Sequence, residues 1–103
     1  MITAILLAAF WQSAAINTHR DNYLACLKTG LESAKTQKMP ADAYEAYLRQ
    51  NCAALEAKFE ASLIAFDVKN KVSRKQAASD AQLQVDDFIG TSVERYKLMT
   101  TPK

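Results

Sequence analysis

The sequence predicts an all-α fold, a small up-down three-helix bundle built on a helical hairpin with an inter-helix disulfide. Three observations carry that prediction. The 103 residues include only two Gly and two Pro, and Ala is abundant. That is the composition of long helices rather than of a turn-rich β fold. Apolar residues recur at steps of three and four through 17–36, 41–71 and 74–99, the period of amphipathic helices. Finally, Cys26 and Cys52 each lie thirteen residues from Met39, inside the turn Gln37-Lys38-Met39-Pro40. A helix rises about 1.5 Å per residue, so on antiparallel arms the two sulfurs stand level.

The first arm is expected over 17–36, capped by Asn17 or Thr18, with Asp21 near the positive helix end. Ile16, Tyr23, Leu27, Leu31 and Ala34 share one face, with Leu24 and Cys26 at its edges. Lys28, Glu32 and Lys35 occupy the opposite side. Gly30 falls inside the arm and weakens it by up to about 1 kcal/mol relative to Ala. Close packing against the second arm would account for it.

The second arm begins at Pro40, which suits a first helical turn because its missing N–H is not needed there. No Gly or Pro interrupts 41–71, so one long helix is expected. Tyr44, Leu48, Cys52, Leu55, Phe59, Leu63 and Phe66 form the seam toward the first arm. Glu45, Arg49, Glu56, Glu60, Asp67 and Lys71 form a charged stripe, read as solvated. A second apolar seam runs along the back: Ala43, Ala46, Tyr47, Ala54, Ala57, Ala61, Ile64, Ala65 and Val68. Small side chains there would let another helix approach closely. The third helix is the first candidate to cover that seam; a homodimer or a protein partner is the second.

Lys69, Lys71, Arg74 and Lys75 are the densest positive cluster. They form either a solvated turn or an anion-binding cluster. Ser73 with Gln76 matches a capping box for the third helix, with Ser79-Asp80 as a later start. Ala78, Ala81, Val85, Phe88, Ile89, Ser92, Val93, Tyr96 and Met99 make its apolar face.

Residues 1–17 carry no charge, and Ile2–Trp11 is apolar except for Thr3. The length is that of the core of a secretory signal, and Ser13-Ala14-Ala15 offers small residues for cleavage before Ile16. The absence of an opening Lys or Arg dissents from that reading. The run is also short of the about 20 residues that span a bilayer. The expected organisation is therefore 1–15 as a signal peptide or apolar N-terminal segment and 16–103 as a single helical domain. A buried helix and an uncleaved membrane tether are the alternatives for 1–15. A disulfide and a leader support each other, since disulfides persist in oxidising compartments, and the expected location is periplasmic or secreted.

Several chemistries have no foothold in the sequence. The net charge of +2 is small and interspersed, which gives nucleic acid no basic face. No phosphate loop, C-x-x-C or haem attachment motif occurs. His19, the single histidine, and two cysteines fall short of a zinc set. Glu56 and Glu60 stand one turn apart, but acid–base work needs a cleft that perturbs them. The expectation is a protein without cofactor, metal or catalytic site, acting as a binding or structural module through its helix faces. An accessory subunit of an envelope membrane complex, held by its apolar start, is the first alternative. A carrier of a small apolar ligand between aromatic side chains is the second.

Overall fold

The structure, a computed structural model, describes the backbone of residues 2–101 and the side chains of residues 14–101. It is all-α. Four helices and no strand occur among the described residues: α1 (Ile2–Thr36), α2 (Ala41–Asn51), α3 (Ala53–Lys69) and α4 (Arg74–Thr100). The molecule is elongated, 60 × 23 × 23 Å.

Two elements differ from expectation. Helix α1 runs through Asn17 and Thr18 without a break, so neither residue caps it. Asn17 Oδ1 instead accepts a hydrogen bond from Arg20 Nη2 on the next turn, and Asp21 and His19 lie mid-helix. The expected single helix over 41–71 is divided at Cys52, whose φ of −108° and ψ of 14° leave the helical region. The kink is local. Cys52 N–H still donates to the Leu48 carbonyl at 3.1 Å, and Glu56 N–H donates to the Cys52 carbonyl at 2.9 Å. The break falls on the one residue of this arm bonded to α1.

Both inter-helix turns close in the same way. Lys38 and Lys71 adopt positive φ, 54° and 69°. After each, the next N–H reaches back to a helix carbonyl: Met39 to Ala34 at 3.0 Å, and Val72 to Asp67 at 2.9 Å. These are Schellman caps, a position glycine fills most easily. At the start of α4, Ser73 Oγ accepts from Gln76 N–H at 3.1 Å. Half of the expected capping box therefore forms. The Gln76 side chain turns forward to Asp80, at 2.8 Å, rather than back to Ser73.

Register between α1 and α2 is fixed by level pairs. Cys26 and Cys52 are at disulfide distance, with Cα atoms 5.9 Å apart. One turn further, Gly30 is buried so closely against Leu48 that a Cβ on it would stand 2.7 Å from Leu48 Cδ1. Two aromatic groups complete the core. Tyr23 of α1, Phe59 of α3 and Phe88 of α4 pack with ring centroids 5.9 to 6.4 Å apart, one ring from each helix. Tyr44 of α2 stacks on Tyr96 of α4 at 4.2 Å. The Tyr96 hydroxyl donates to the Met39 carbonyl in the α1–α2 turn, which ties the end of α4 to that turn.

Helix α4 buries Ala77, Ala81, Val85, Ile89 and Tyr96. The expected face is thus shifted at its start, where Ala77 is buried and Ala78 exposed.

Candidate functional site

The surfaces singled out in the sequence do not converge, and they differ in exposure. Tyr44 and Leu48 of α2, Cys52 between the helices and Phe59 of α3 are the buried residues of this arm. They lie on one face, and α1 and α4 both pack there. The second seam is left open: Ala43, Ala46, Ala54, Ala57, Ala61 and Ala65 are exposed, and Tyr47, Ile64 and Val68 are half-buried. The third long helix does not cover it, contrary to the first expectation. Spacings of 3, 4, 4, 3, 4, 4 and 3 from Ala43 through Ala46, Gln50, Ala54, Ala57, Ala61 and Ala65 to Val68 repeat every eleven residues. Eleven residues make just over three turns, so within each of α2 and α3 the stripe drifts little around the helix.

The charged stripe, in contrast, borders α4. Arg49 bridges Glu45 at 3.1 Å and Asp86 of α4 at 3.2 Å. Burial works against the Arg49 charge, but the two carboxylates outweigh it and hold the guanidinium more firmly protonated. Further along, the Tyr23 hydroxyl donates to Glu56 Oε1 at 3.4 Å. Burial, then the neighbouring Glu56 charge, pushes the Tyr23 hydroxyl well above its usual range. Glu60 is raised above the ordinary carboxylate range by burial first and by Glu56 second. The solvated reading of this stripe is therefore corrected: α4 covers one edge of it. Sequence reasoning missed the Arg49–Asp86 pair, because nothing local says which long-range carboxylate an arginine will meet.

Lys69, Lys71, Arg74 and Lys75 are brought together around the α3–α4 turn, and all four are exposed. None forms an ion pair among the described residues. Lys69 suits the negative end of α3, whereas Arg74 and Lys75 stand at the positive end of α4.

Tyr44 is fully buried, and its hydroxyl is without a hydrogen-bond partner among the described side chains. Burial raises its pKa, followed by Tyr96 and Tyr47. Tyr23, Phe59, Tyr44 and Tyr96, expected as lining if the chain were a carrier, are packed on one another as core. Among the described residues no group of three or more His, Cys, Asp and Glu is placed to hold a metal ion. No described helix is long and apolar enough to cross a membrane. No known protein family, curated protein or solved structure matches the chain.

Proposed function

We propose that this chain is a small exported helical module that works by docking, with the alanine face of α2 and α3 as its contact surface. Its rods, α1, then α2 with α3, then α4, run up, down and up. The observation that carries the reading is the exposure of all six alanines of this face while the buried residues of the arm lie on the opposite side. Small side chains permit axes to approach toward the short end of the 8–10 Å packing range. A second helix laid on this face, from another copy of the chain or from a partner protein, would bury it.

Export rests on the disulfide, which is compatible with an oxidising location, and on the apolar start. The unbroken run of α1 from Ile2 favours a second reading, in which residues 1–15 are retained as a tether. Intact mass of the endogenous protein separates the two, since removal before Ile16 eliminates the tether.

The docking surface is tested by sedimentation equilibrium over a wide concentration range. Self-association that Ala57→Arg abolishes, with helicity unchanged, supports the reading with a second copy as occupant. A strict monomer whose Ala57 and Ala61 exchange slowly with no probe helix, including a peptide of α2–α3 itself, counts against it.

A further inference from the structure

We propose that the groove between α1 and α4 is a binding site for a single-chain amphiphile with an anionic head. The groove encloses about 680 Å³, within the range of about 300–1,000 Å³ typical of small-molecule sites. It is separate from the alanine face, and this inference does not depend on docking there.

Phe88, Ser92, Arg95 and Met99 follow one another at steps of four, three and four, so they form the row of α4 that lines this groove opposite α1. Ser92 has the smallest side chain of that row, so a Leu in its place would take up groove volume. Leu27 and Leu31 of α1, 4% and 6% exposed, are the floor. Half-buried Leu24 and Phe88 and the 42% exposed Met99 line it as well. From Arg95 back to Phe88 the trough is about 10 Å long at the helical rise. An extended tail of about eight carbons has that reach, and a twelve-carbon tail fills it with its end beyond Phe88. Apolar walls, a floor that water gains little from wetting, and an adaptable methionine suit an acyl chain.

The rim supplies the choice of head group. Lys28 of α1 and Arg95 of α4 both line the groove, against the single carboxylate Glu32. Neither cation makes an ion pair among the described residues. An anionic head placed at the Arg95 level gains a charge-assisted bond, while the tail lies along Leu24 and Phe88.

Three probes share a twelve-carbon tail: dodecanoate, dodecyl maltoside and dodecyltrimethylammonium. Each is titrated calorimetrically into the native, oxidised protein below its micelle concentration. Dodecanoate is expected to bind saturably at one site, about tenfold or more tighter than the trimethylammonium, with the maltoside between them. Ser92→Leu is expected to fill the trough and weaken dodecanoate by about tenfold or more, with far-UV circular dichroism unchanged. Arg95→Glu, on the exposed rim, is expected to remove the preference for the anion while leaving maltoside binding in place. The inference is overturned by the absence of saturable binding, by equal binding of all three heads, or by dodecanoate binding that survives Ser92→Leu. The last outcome would place the tail elsewhere, on the alanine face or on the apolar start.

Discussion

Gly30→Ala is the sharpest test of how α1 meets α2. On an isolated helix the substitution is favourable, because Ala exceeds Gly by about 0.8–1.0 kcal/mol in helix propensity. In this molecule the new Cβ would stand 2.7 Å from Leu48 Cδ1, well inside contact distance. Leu48 has no exposed surface, so its side chain must displace core neighbours to give way. Overpacking of that kind costs about 1–3 kcal/mol. The net expectation is destabilisation by about 1 kcal/mol, a fall in Tm of about 4–8 °C for a domain of this size. The sign should invert once the obstacle is removed. Leu48→Ala alone is expected to cost about 2–5 kcal/mol; adding Gly30→Ala to it should recover about 1 kcal/mol of propensity and part of the cavity. Urea unfolding of the four oxidised proteins, followed at 222 nm, gives the coupling in one cycle. Gly90 is the control, since a Cβ there meets nothing within 4 Å, and Gly90→Ala should stabilise by about 0.5–1 kcal/mol. If Gly30→Ala stabilised the native background as much as the Leu48→Ala background, the close approach of the two helices would be wrong.

The stacked pair Tyr44 and Tyr96 should respond oppositely to loss of a hydroxyl. Tyr44→Phe removes an unpartnered buried group and is expected to be neutral or stabilising by up to about 1 kcal/mol, whereas Tyr96→Phe breaks the bond to Met39 and should cost about 1–2 kcal/mol. Thermal unfolding of both variants reads the difference, and equal effects would refute it. The Cys26–Cys52 bond spans 26 residues, so the double Ser variant should lose about 3–4 kcal/mol by loop entropy; reductant should reproduce that loss in the native chain and leave the variant unaffected. Glu60 has a folded pKa above its unfolded value, raised by burial and then by Glu56. Its contribution to stability is therefore intact below about pH 4 and is lost as pH rises through the folded value. Glu60→Gln should stabilise by about 0.5 kcal/mol at pH 7, a figure kept small for solvent screening, and by nothing at pH 3. A gain that persisted unchanged at pH 3 would show that burial and Glu56 do not govern this carboxyl.

Much of the architecture is legible in the chain. The period of apolar residues marks each long helical stretch, and Pro40 and Ser73 mark where two of the helices start. The kink at Cys52 was not legible, since no Gly or Pro announces it and the covalent tie to α1 comes from a residue 26 positions away. The start of α1 was misread for the converse reason. Asn17 and Thr18 are good caps, but a cap is needed only where a helix begins, and the apolar residues before them continue it. As for the surfaces, Ser92 is the one small polar residue on the expected apolar face of α4. That it lines a groove depends on what α1 places opposite.

The sequence by itself determines the long helical stretches, the turns that join the arms and the level of the two sulfurs, because these follow from local periodicity and a constant rise per residue. Which side of α2 and α3 receives α4 was decided only by tertiary packing. Both sides read as apolar, yet they differ in the area they can remove from water. Burying a Leu or Phe is worth about 1.5–3 kcal/mol, and an Ala offers one methyl group. Helix α4 buries its own small residues, Ala77 and Ala81, and the alanines of the second seam of α2 and α3 are left to solvent.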